Sequence, residues 1–115
     1  MLEMVRGDTA RFKFQRIDTN SHVILTKADE LFFTVKNSPK DAKPALQVTL
    51  NAMIFDDSDG TYYFTIEPTD TNNLDFTKKY YYDLEVIDGG VKTTIAYGDF
   101  KLKPEVTWAI NEGES

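Results

Sequence analysis

Tyr80-Tyr81-Tyr82-Asp83-Leu84-Glu85-Val86-Ile87-Asp88-Gly89-Gly90 is the stretch that decides the fold class. Within it Tyr80, Tyr82, Leu84 and Val86 fall on every second position, with Tyr81, Asp83 and Glu85 between them. Side chains of an extended strand point alternately to opposite faces, so this spacing sets one row against a core and the other toward water. Such alternation marks an antiparallel strand. Asp88-Gly89-Gly90 follows as a strong hairpin turn, because glycine accepts the positive φ angles that a tight reversal needs.

The same period recurs on both sides. Ala10, Phe12 and Phe14 alternate with Arg11, Lys13 and Gln15; Leu46, Val48 and Leu50 alternate with Gln47 and Thr49; Tyr62, Phe64 and Ile66 alternate with Tyr63, Thr65 and Glu67. Leu31 to Val35 is apolar on both faces except at Thr34, which predicts a central strand. Thr93, Ile95 and Tyr97 followed by Phe100 and Leu102 predict two short strands, or one broken at Gly98. Turn residues cluster at Asp18–Ser21, separating the first long strand from a strand that starts at His22-Val23-Ile24-Leu25, and again at Asp56–Gly60. The polar stretch Asn37–Pro44 carries two prolines and reads as an exposed loop. The best helical candidate is a single turn near Thr69–Leu74, with Thr69 or Asp70 capping its first amides. Seven or eight short strands at this spacing predict an all-β sandwich or barrel. A single domain over residues 1–110 with a tail at 111–115 accounts for the whole chain.

Composition narrows the function. The chain has 115 residues and a net charge of −6, so phosphate backbones and anionic membrane surfaces repel it. Zero cysteines remove disulfides, thiolate zinc sites and thiol nucleophiles together. No segment approaches the roughly 20 uninterrupted apolar residues of a membrane span. Met1-Leu2-Glu3-Met4 lacks the basic and apolar regions of a signal peptide, which predicts synthesis in the cytoplasm without classical secretion.

The candidates for chemistry are few. His22 is the only histidine and reads as an exposed turn residue, so a Ser-His-Asp triad has little to build on. Asp57 and Asp59 precede Gly60, but Phe55 and Ile66 stand where an EF-hand loop needs acids; a calcium site of another kind using Asp56, Asp57 and Asp59 stays open. Asp83 and Glu85 lie on one strand face about 7 Å apart and read as a solvated face rather than a catalytic pair. Arg6-Gly7-Asp8 spells an adhesion tripeptide, although Gly7-Asp8 serves more simply as a kink before the strand at Thr9. No phosphate-cradling glycine loop exists, and no catalytic or cofactor-binding residue is predicted.

Several motifs in order carry a family likeness: Gly7-Asp8-Thr9, Phe33-Thr34-Val35-Lys36, Asp70-Thr71-Asn72-Asn73-Leu74, Tyr80-Tyr81-Tyr82-Asp83 and Gly98-Asp99-Phe100. Together they resemble the small immunoglobulin-like modules of tailed phages and prophages of Gram-positive bacteria, in particular the N-terminal domain of baseplate upper proteins. The likeness runs from about Met4 to Thr107 and implies an immunoglobulin-like antiparallel β-sandwich. It also implies a structural role in a virion tail or baseplate, with other phage structural proteins as partners and self-association open. The six-residue step from Leu74 to Tyr80 has the spacing of a tyrosine corner, whose phenol bonds back to backbone near the Asp70–Leu74 turn. Trp108 and Ile110, beyond the last clear strand, are the best candidates for an interaction anchor. A second reading is a carbohydrate- or surface-binding module that uses Tyr63, Tyr81 or Tyr97 as stacking platforms.

Overall fold

The computed structural model describes residues 2–38, 40, 43–75 and 77–103. Eight strands follow in order: β1 Leu2–Val5, β2 Ala10–Gln15, β3 Glu30–Lys36, β4 Leu46–Thr49, β5 Ile54–Asp56, β6 Thr61–Ile66, β7 Tyr80–Asp88 and β8 Val91–Lys103. A 3₁₀ turn, Leu50–Ala52, separates β4 from β5, and one helical turn, α1 Pro68–Thr71, separates β6 from β7. The strands form a five-stranded sheet in the order β1-β8-β7-β3-β4 and a three-stranded sheet β2-β6-β5. All pairings are antiparallel except β1 with β8, which run parallel from Leu2↔Phe100 to Val5↔Lys103. This is an immunoglobulin-like sandwich in which the first strand joins the edge of the last.

The alternation read from the sequence becomes the core. Leu31, Phe33 and Val35 of β3, Tyr62, Phe64 and Ile66 of β6, and Tyr80, Leu84 and Val86 of β7 are all buried. Each such side chain contributes about 1.5–3 kcal/mol on leaving water. With no cysteine to join β2 to β7, aromatic rings span the gap between sheets. Phe33 of the larger sheet lies 4.8 Å from Phe64 and 6.3 Å from Phe12 of the smaller one, distances at which offset rings attract. β3 sits between β4 and β7, and on its outer row Thr34 is buried and Phe32 half-buried.

Four local readings are corrected. Leu50 leaves the strand for the 3₁₀ turn, so the alternation ends at Thr49. His22–Leu25 forms no strand; only an isolated bridge, Ile17↔Val23, ties this segment. Thr93 to Leu102 is neither two strands nor one broken at Gly98. It is continuous, Gly98 pairs with Tyr82, and the irregularity is a bulge between Leu84↔Ala96 and Glu85↔Thr94 that leaves Ile95 unmatched. The extra residue reverses the parity of the faces. Ala96 therefore packs toward the core while Tyr97 stands 80% exposed. The α1 turn also begins earlier than Thr69: its flanking residue is Glu67, whose N–H donates to Asp70 Oδ2 at 2.8 Å.

Candidate functional site

β8 is thirteen residues long, and its edge is only partly covered. β1 pairs with Phe100–Lys103 alone, so among the described residues no strand covers the edge from Val91 to Gly98. The facing sheet ends at β2, which pairs only with β6. Two edges thus flank an opening between the layers, a groove of about 590 Å³. Phe14, Ile17 and Ile24 line one side, and Leu84, Val86 and Ile95 line the other. Val91 is 65% exposed, Ile17 60% and Ile95 40%. An apolar rim of this kind beside unpaired backbone N–H and C=O groups is suited to receiving an extended chain. The bulge at Ile95 adds twist and limits regular pairing to short stretches on either side.

A polar clip holds the mouth in shape. Arg16, just past β2, is buried; its Nη1 donates to Asp88 Oδ2 at 3.1 Å and its Nη2 to the Thr26 carbonyl at 2.6 Å. Its Nε is buried with no hydrogen-bond partner among the described residues. The pair ties the end of the smaller sheet to the tip of the β7–β8 hairpin.

The outer face of the larger sheet carries a second feature, a hollow of about 380 Å³ bounded by Thr34, Lys36, Tyr81, Asp83, Tyr97 and Asp99. The register lays Gln47, Thr34, Asp83 and Tyr97 in one row across four strands, with Lys36, Tyr81 and Asp99 in the next. Gln47 Nε2 donates to Thr34 Oγ1 at 3.1 Å, and Lys79 Nζ lies 5.4 Å from the Tyr81 ring centre. Burial, seconded by the neighbouring Glu85, raises the Asp83 carboxyl above its ordinary pKa, against the pull of Lys36 and Lys92. Its Oδ1 is buried without a hydrogen-bond partner among the described residues. Aromatic faces, a carboxylate and an ammonium are thus brought together.

Other candidates are engaged in local structure. The Tyr80 hydroxyl accepts from the Asp75 N–H at 3.0 Å, and Leu74 packs half-buried against the core. His22 is exposed, and its backbone N–H donates to Asp18 Oδ1. Asp56 Oδ1 accepts from the N–H and Oγ of Ser58, and Asp59 Oδ1 accepts from the Thr61 N–H. Among the described residues no three His, Cys, Asp or Glu side chains are grouped to hold a metal ion, and no helix is long and apolar enough to cross a membrane. Gly7 has φ 84° and donates its N–H to Thr71 Oγ1 at 2.9 Å, so the Arg6-Gly7-Asp8 tripeptide makes the crossover from β1 to β2. Tyr63 stands on the smaller sheet, away from Tyr81 and Tyr97. Trp108, Ile110 and the 111–115 tail lie outside the described residues. The groove itself was not read from the sequence. The signal lay in Ile17, Ile24 and Val91, apolar residues outside the regular alternating rows, and in Ile95, which alternation set in one row with Tyr97.

No family model and no curated protein matches the chain. Among solved structures it is similar to the natural killer cell receptor NKp44, described as a triggering partner in natural cytotoxicity. The match has a TM-score of 0.52 and 14% identity over 90% of this chain and 95% of that one. At that identity the likeness concerns the immunoglobulin-like fold alone.

Proposed function

We propose that the chain is an assembly module of a phage tail or baseplate that binds a neighbouring protein by strand addition at the β8 edge. The edge from Val91, which no strand covers among the described residues, beside the 590 Å³ apolar groove carries this reading. An added strand satisfies the free backbone groups there, and its alternate side chains enter the groove, the division of labour by which sheet edges recognise extended segments. The phage setting is supported by the ordered motifs from Gly7-Asp8-Thr9 to Gly98-Asp99-Phe100 and their resemblance to baseplate modules. The test is a photo-crosslinking amino acid placed at Ile95 in particles from the host that encodes the chain, with exposed Ile54 on the other sheet as the comparison. The expected result is one discrete adduct from position 95 and none from position 54. No adduct from position 95, or absence of the chain from the particles, overturns the proposal.

A second reading is favoured by the outer hollow. Tyr97 offers an exposed ring close to Asp83 and Lys36, a combination that suits a pyranose, with stacking on its apolar face and polar groups for its hydroxyls. Saturable glycan binding by a monomer, lost in Tyr97→Ala, is the outcome that favours it over the assembly reading.

A further inference from the structure

We infer that the strand received at the β8 edge comes from a second copy of this chain, as the segment Val106-Thr107-Trp108-Ala109-Ile110. The inference rests on the edge-binding reading above and names its partner. Val106, Trp108 and Ile110 fall on every second position, so an extended backbone turns all three to one side. That side matches a groove lined by Phe14, Ile17, Ile24, Leu84, Val86 and Ile95, and about 590 Å³ is the scale at which bulky apolar groups are enclosed. Charge agrees. Residues 104–115 contain Glu105, Glu112 and Glu114 and no Lys or Arg, whereas β2, the edge strand across the groove from β8, exposes Arg11 and Lys13; on β8 itself Lys92 is paired with Glu85 at 3.6 Å.

Length decides between the same copy and another. From Lys103, where β8 ends, Trp108 is five residues on and reaches at most about 18 Å fully extended. Ile95 lies eight residues back along β8, about 26 Å away, and β1 already occupies the edge beside Phe100–Lys103. The segment cannot fill the groove of its own copy. Donor segment and acceptor groove are different patches, so the contact runs head to tail and builds rings or chains, unless two copies exchange segments reciprocally.

Trp108 is the only tryptophan, so its fluorescence reports the donor directly. With the full chain, the emission maximum should shift to shorter wavelength as concentration rises, in step with the mass found by sedimentation velocity. Ile95→Lys in the acceptor and Trp108→Ser in the donor should each weaken association by about thirtyfold or more, the scale of losing a central anchor. An equimolar mixture of the two variants should form one-to-one pairs, because each retains the half the other lacks. Ile54→Lys, on the opposite sheet, should associate as the parent does. A chain that stays monomeric to several hundred micromolar overturns the inference; so does emission at short wavelength that ignores concentration, or association that survives Trp108→Ser. A monomeric chain whose position 95 still crosslinks to a different virion subunit refutes the second-copy partner and leaves the assembly reading standing.

Discussion

Asp83 and Tyr80 occupy the same strand and illustrate opposite uses of a polar group. Asp83 is half-buried, one of its oxygens lacks a hydrogen bond, and its pKa is raised by burial and by Glu85. The folded chain therefore binds the proton more tightly than the unfolded chain. Stability falls as pH rises from the ordinary 3.8 through the raised folded value, because the charged form is disfavoured only in the fold. Asp83→Asn, neutral throughout, should match the parent most closely near pH 3 and gain on it progressively until the carboxylate is fully ionised. Urea midpoints at pH 3, 5 and 7 check this, and a gap independent of pH would refute it. Asp56 and Asp75 shift the other way, lowered chiefly by hydrogen bonds from Ser58 and Thr77. They oppose Asp83 in the parent profile, which is why the difference between variant and parent is the quantity to follow. Tyr80, by contrast, is buried with its hydroxyl satisfied by the Asp75 N–H. Tyr80→Phe keeps the ring and removes the acceptor, so denaturant unfolding should register a loss of about 1–2 kcal/mol with an unchanged slope.

At the scale of elements, the β5–β6 turn depends on one glycine. Gly60 has φ 75°, and a Cβ there would stand 2.8 Å from both the Ile24 carbonyl oxygen and Val23 Cγ1. Gly60→Ala should cost about 3 kcal/mol, combining left-handed strain with a clash against backbone. Gly89, at φ 57° in the β7–β8 hairpin, has nothing within 4 Å of the same added atom. Gly89→Ala should therefore cost only the conformational part, about 1–2 kcal/mol. Equal losses in thermal unfolding would show that packing around Gly60 contributes nothing. The pair also marks what could be read in advance. Both turns were legible, since Asp-rich stretches ending in glycine announce reversals, but the tight seat of Gly60 depends on the Val23–Leu25 segment, which no periodicity places beside it. Alternation located β2, β6 and β7 wherever pairing runs without a slip. It failed on β8, where the single unmatched residue Ile95 moves Tyr97 to the outer face. Ala28 and Met53 are buried from connecting segments that follow no period, and the groove escaped notice because it exists only between two sheets that the chain reaches about 70 residues apart, as Arg16 and Asp88 do.

The molecule is closed by its first and last described strands: Leu2 pairs with Phe100, 98 residues away (100 − 2), and Met4 of β1 is buried against the core. Strand pairings between β2 and β6 and between β3 and β7 also join distant parts of the chain. Such topology must meet loop-closure entropy before most contacts form, which places refolding in the millisecond-to-second range rather than the microseconds of helical bundles. β1 carries four residues, pairs with the rest through one parallel edge, and cannot dock until β8 is in place. Its contacts should therefore be nearly absent from the folding transition state. Met4→Ala should destabilise the chain by about 2–4 kcal/mol, and nearly all of that should appear as faster unfolding, with a φ-value below about 0.3. Stopped-flow refolding and unfolding across urea concentrations measure both arms. If Met4→Ala instead slows folding in proportion to its full cost, the terminal strands meet early, and the edge of β8 is nucleated by β1 rather than left for a partner to extend.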